Sequence, residues 1–153
     1  MRKIQKIINH WSASGPTTTV EDIRRWHVQN NGWREIGYHR IILHPDTVPN
    51  AKHWSDLVKL GRPLDNDPYL SDLEVGAHTV GLNSQSVGVC TISGLRSKLH
   101  PLQKEAIIEV NKALAKRFGL KPSDVYGHQN FNKTQCPGPE IMTLITEFRN
   151  SAM

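Results

Sequence analysis

Residues 3–14 read KIQKIINHWSAS, and the fold is read outward from this stretch. The apolar run from Ile4 to about Asn9 predicts a first β-strand, too short for an ordinary helix. His10 stands at its end, and a small polar turn, SASGPTT, follows. Thr19 then has the character of a helix N-cap, with Asp22 three positions on as its capping-box partner. The helix behind it is expected over Val20–Gln29, stopped by Asn30, Asn31 and Gly32. Further out, GYHRIILH (Gly37–His44) and SVGVCTIS (Ser86–Ser93) read as two more strands. Residues 45–75 are rich in Pro, Asp and Asn with no sustained period. A stretch that long is either functional or contains short elements.

Pro101 opens an amphipathic helix to about Phe118, where Gly119 ends it. DVYGH (Asp124–His128) is a short strand or turn that carries His128 out to a loop. Pro139 starts a last helix, with Ile141, Leu144, Ile145 and Phe148 as its core face. Strands and helices therefore interleave. The expectation is one α/β domain over residues 1–153, ordered from about 3 to 150, with a central mixed sheet flanked by helices.

The composition of the 153 residues fits a soluble globular chain, with 37% hydrophobic and 22% charged residues. No apolar stretch reaches membrane-spanning length, so no membrane insertion is expected. The N-terminus has no long apolar segment or cleavage site of a signal peptide, so the chain is expected to be cytoplasmic at synthesis. A net charge of +5 favours an anionic partner such as nucleic acid, anionic lipid or bacterial wall. The Lys and Arg residues are scattered, with no helix-turn-helix pattern and no aromatic RNA-binding signature, which argues against nucleic acid.

Two cysteines are too few for a disulfide framework. Cys90, inside VGVC, reads as an inert core thiol. Cys136 lies in a polar, Pro/Gly-flanked loop where a thiolate can reach a metal. A Cys90–Cys136 disulfide is the alternative. His10, His128 and Cys136 together offer two imidazoles and one thiolate. Three N/S ligands with one open position suit a catalytic zinc at one edge of the sheet, and so a hydrolase. The bland reading is that each is an ordinary residue, as His27, His44, His53 and His100 are expected to be. A copper site using Met142 is a further possibility that the α/β pattern argues against.

The ordered set IINHWSAS, DIRRWHVQNNGW, Gly37-Tyr38-His39, GAHTVGLNSQSVGVC and, last, His128 with Cys136-Pro137-Gly138 carries a resemblance. The chain resembles the zinc N-acetylmuramoyl-L-alanine amidases of the second amidase family, which include amidase-type phage lysozymes and peptidoglycan recognition proteins. The resemblance implies zinc held by His10, His128 and Cys136, with Tyr38 beside the metal positioning water or stabilising an oxyanion. His39, pointing the other way along its strand, is then structural.

By the same resemblance, His78 and Asn83 face substrate, unless they form a polar turn, and Arg62 lies near the cleft. Where phage members carry a catalytic Lys, this chain has Thr134, with Lys133 one position further back. Thr134 is the preferred helper. The segment of about residues 49–60 is longer than in short members and is expected to border the cleft. The implied activity is zinc-dependent cleavage of the amide between N-acetylmuramic acid and L-alanine in peptidoglycan. A monomeric phage endolysin, acting on the wall after release, is the implied setting. A non-catalytic peptidoglycan-binding module and a cytosolic enzyme recycling wall fragments are the alternatives.

Overall fold

In this computed structural model, residues 2–96 and 98–151 are described, so the expected domain's outermost positions, Met1 and residues 152–153, lie outside them. The strands in chain order are β1 (Arg2–Lys3), β2 (Lys6–Trp11), β3 (Arg40–Ile42), β4 (Val58–Leu60), β5 (Tyr69–Leu70), β6 (Ser86–Thr91) and β7 (Val125–Gly127). The helices are α1 (Val20–Arg24), α2 (Pro101–Phe118) and α3 (Pro139–Arg149). Five strands form a mixed sheet in the order β4-β3-β6-β2-β7. β6 pairs in parallel with β2 and β3, and β2 in parallel with β7, while β4 runs antiparallel to β3. β1 and β5 form a separate antiparallel pair. The expected α/β architecture is thus present.

Side-chain alternation along each strand divides the core in two. On one face Ile7, Trp11, Ile42, Val87, Val89 and Val125 pack with Ala106, Ile107, Val110 and Leu114 of α2 and with Ile141, Ile145 and Phe148 of α3. On the other, Ile41 and Ile92 pack with Leu43, Ile36 and Ile23 of α1. α2 starts at Pro101 and ends on a left-handed Gly119, as read from the sequence, while His100, expected to be an ordinary residue, caps its first turn.

Boundaries moved for local reasons. The first long strand starts at Lys6, since Ile4 and Gln5 donate to Pro68 and Gln85 carbonyls in neighbouring loops, and it runs to Trp11 because its pairing with β6 continues to Thr91. Thr19 and Asp22 form the expected capping box, but α1 gives way at Arg25 to a π-helical turn reaching Asn30. β3 is shorter than expected because Leu43 donates to Leu57 and a 3-10 turn begins at Pro45. Within residues 45–75 lie that turn, a second one at Trp54–Leu57, β4 and β5. The segment at 49–60, expected to border the cleft, packs in part on the α2 side of the sheet. Leu57 belongs to the α2 side of the core with Trp54 and Val58 packed on it, and β4 adds the sheet's edge strand beyond β3 and β6. Among the described residues no helix is long and apolar enough to cross a membrane.

Candidate metal centre

β2 carries Asn9 and His10 to opposite faces of the sheet. Asn9 turns toward α2 and exchanges two amide hydrogen bonds with Asn111, at 2.8 and 2.9 Å. His10 projects on the other side and is 2% exposed. β7 ends in a 3-10 turn, His128–Asn130, which delivers the second imidazole. The loop that follows is tied back by Gln129 N–H donating to the Cys136 carbonyl at 2.8 Å. His10, His128 and Cys136 thereby bring one ligand atom each within 4.8 Å of one another. The set spans residues 10 to 136 and forms only because β2 is flanked by β7 at the same sheet edge.

The polar atoms around this trio fit a zinc ion. His10 Nε2 lies 2.9 Å from His78 Nδ1, while His10 Nδ1 faces the Cys136 sulfur at 3.6 Å. His128 Nε2 lies 2.8 Å from Asn132 Oδ1, leaving its Nδ1 for a metal. Trp11 N–H donates to Cys136 Sγ at 3.4 Å. Burial holds the His10 imidazole well below its usual range, with His78 and His128 adding to it. His10 is therefore neutral at pH 7, as a ligand must be. Burial raises the Cys136 thiol to about 11, opposed by the Trp11 N–H. Metal binding would displace that proton, since thiolate and not thiol is the ligand. Both cysteines are free, so the disulfide alternative falls.

Tyr38 stands beside the trio, its ring centroid 5.2 Å from that of His10. Burial, then the Cys90 and Cys136 thiols, push its phenol well above the ordinary tyrosine range, keeping the O–H as a donor. Cys90 is wholly buried and its thiol is pushed up by burial, as a core thiol. Thr134 and Lys133 are both exposed, and Thr134 Oγ1 accepts from Cys136 N–H at 3.2 Å. His39 is buried structural support: its Nδ1 accepts from Gly88 N–H at 3.0 Å and its Nε2 faces the Glu74 carbonyl at 2.5 Å.

The three residues expected at the substrate all have polar partners within the protein. Arg62 is 5% exposed and donates to the backbone carbonyls of Ile36, Val75 and Glu35. That guanidinium clamps two loops. Asn83 forms the polar turn weighed against a substrate role, its Oδ1 accepting from the backbone N–H groups of His78 and Thr79. His78 points its Nδ1 at His10 rather than at open space. Sequence reasoning missed Thr79, 1% exposed, whose Oγ1 lies 3.0 Å from His78 Nδ1. It also missed Trp11 and Asn132. The only sequence signal for Asn132 is its position one helical turn after His128. Next to the trio, Trp11, Ala13, Ser14, Gly94, Arg96 and Gln135 help line a groove of about 530 Å³.

Comparison with known proteins agrees with this geometry. The family described as N-acetylmuramoyl-L-alanine amidase matches residues 1–139. The endolysin of Enterobacteria phage K11 is 32% identical over 130 residues, covering 82% of this chain and 74% of that protein. The endolysin of Klebsiella phage KP32 is 35% identical over 102 residues, and the match spans 65% of this chain and 55% of its own length. Among solved structures, the amidase LysC from Clostridium intestinale superposes with a TM-score of 0.73 at 20% identity, covering 97% of this chain and 87% of its own. At that identity the likeness carries the fold alone.

Proposed function

The chain belongs to the N-acetylmuramoyl-L-alanine amidase family, and on that premise we propose that it is a zinc-dependent phage endolysin cutting the bond between N-acetylmuramic acid and L-alanine. The observation that carries the zinc reading is the meeting of His10, His128 and Cys136 ligand atoms. Zinc held there would supply Lewis acidity toward the scissile carbonyl and acidify a water for attack.

The protein's own groups have separate tasks. Two imidazoles and one thiolate leave a bound divalent ion a net +1, enough to polarise its surroundings. The Trp11 N–H steadies charge on the Cys136 sulfur. The Tyr38 phenol, held protonated by its burial, donates to the oxygen that becomes negative as the carbonyl is attacked. Thr134, hydrogen-bonded to the backbone of a ligand residue, would add a second donor. The adjoining groove gives the rest of the muramoyl-peptide a surface to lie on. The match to phage endolysins supports a role at the wall after release from the cell in which the chain is made.

A non-catalytic peptidoglycan-binding module has no use for a three-ligand set with a free thiol, so the intact trio favours the enzyme. Cys136→Ser tests the reading. The variant is expected to keep its fold, lose bound zinc and lose wall lysis. Zinc content and turbidity loss of purified walls measure this, and near-normal lysis by the variant would refute the mechanism.

A further inference from the structure

Resting on the zinc reading of the trio, we propose that His78 is a positioning residue. Its Nδ1 accepts the Nε2–H of His10 and so fixes the rotation and tautomer of that ligand, leaving His10 Nδ1 as the donor to metal. The two nitrogens are 2.9 Å apart, and the rings meet edge to face at 84° with centroids 5.0 Å apart.

A chain of hydrogen bonds sets the direction of this contact. Ser86 Oγ–H donates to the Leu82 carbonyl at 2.7 Å, so its oxygen is left to accept. His78 Nε2 lies 3.4 Å from that oxygen. His78 therefore carries its proton on Nε2 and offers a bare Nδ1. Thr79 Oγ1 stands 3.0 Å from the same Nδ1 and 3.4 Å from His10 Nε2, closing the pocket around the shared proton. Asn83 Oδ1 pins the backbone of residues 78 and 79 at 2.9 and 2.8 Å. From below, Gly88 supplies the space: a Cβ there would stand 2.7 Å from the His78 ring. The elements that hold His78 are therefore built to orient it, and none of them turns it toward the groove.

Outer partners of metal-bound histidines are commonly carboxylates, carbonyls or water. A neutral imidazole in that place orients His10 without adding negative charge, so the net +1 of the ion and its ligands is kept.

Full-length wild type, His78→Leu, His78→Asn and His78→Gln test this by zinc competition with a chromophoric chelator. The visible spectrum of the cobalt-substituted proteins is the second readout. Wild type is expected to bind one zinc. His78→Leu should bind roughly 10–100-fold more weakly, with a changed cobalt spectrum. The Asn side chain can place its carbonyl oxygen where Nδ1 stood, and the longer Gln cannot. His78→Asn should therefore recover affinity and spectrum, and His78→Gln should not. Equal zinc affinity in wild type and His78→Leu would overturn the positioning role. Should His78→Leu fail to fold, the Asn and Gln pair decides alone, and equal affinity of those two would also overturn it. A wild type that binds no zinc would refute the reading of the trio itself.

Discussion

Replacing Tyr38 by Phe removes one hydroxyl from beside the trio and leaves the ring that packs against His10. Loss of one oxyanion donor typically costs about 100–1,000-fold in turnover. Tyr38→Phe is therefore expected to lose about that much kcat on purified wall fragments while zinc content stays at the wild-type level. Loss of zinc together with activity would assign Tyr38 to holding the site instead. Thr134 and Lys133 separate in the same assay. Thr134 contacts the backbone of Cys136, so Thr134→Val should lower kcat, by less than Tyr38→Phe. Lys133→Ala should leave kcat unchanged, and the reverse ranking would move the assisting role to Lys133.

At the scale of elements, two contacts hold the ligand-bearing strand and loop. Gly138 opens α3 at φ +88°, and a Cβ there would stand 2.4 Å from the Trp11 ring. Gly138→Ala is expected to cost on the order of 1–3 kcal/mol in the urea unfolding of metal-free protein. An unchanged midpoint would contradict the close approach. Asn9 and Asn111 join β2 to α2 through their buried amide pair. Asn9 Nδ2 also donates to the Tyr126 carbonyl at 3.2 Å, so Asn111→Ala leaves the buried Asn9 Oδ1 without its donor, which costs roughly 1–3 kcal/mol; no loss in the same unfolding measurement would show that Oδ1 finds another donor.

The sequence announced β2, α2, α3 and the Thr19 cap because these rest on local periodicity and capping residues. The trio and Tyr38 were legible from ordered motifs. The contacts of His78 and Arg62 were not legible, because what they touch is set by long-range packing, whereas the Asn83 turn is local and was one of that residue's two readings. His78 meets a residue 68 positions away in the chain, and Arg62 meets carbonyls 26 and 27 positions earlier. The same holds for the 49–60 segment, whose partner is α2.

For the whole molecule, buried imidazoles make stability depend on pH. Burial lowers His39 to about 4 from an ordinary value of 6.5, and burial, with His39 next in effect, lowers His78 to about 3. In the window between those values and 6.5 the unfolded chain binds protons that the folded chain refuses. Their contribution is fully present above pH 6.5 and is lost as pH falls. Metal-free protein should therefore lose stability from pH 6.5 to 4, by up to about 1.4 kcal/mol per pH unit for each histidine. His39→Asn should flatten that slope by about one proton; an unchanged slope would show that other groups carry it.

The His10, His128 and Cys136 site, loaded with zinc, is proposed to cut one bond, that between N-acetylmuramic acid and L-alanine. The direct measurement is digestion of purified peptidoglycan with and without a chelator, followed by mass analysis of the products. The expected result is free stem peptides beginning with L-alanine and glycan strands left uncut, with release stopped by chelator and restored by zinc. Cleavage of glycan strands or peptide cross-links, or release that persists without metal, would contradict it.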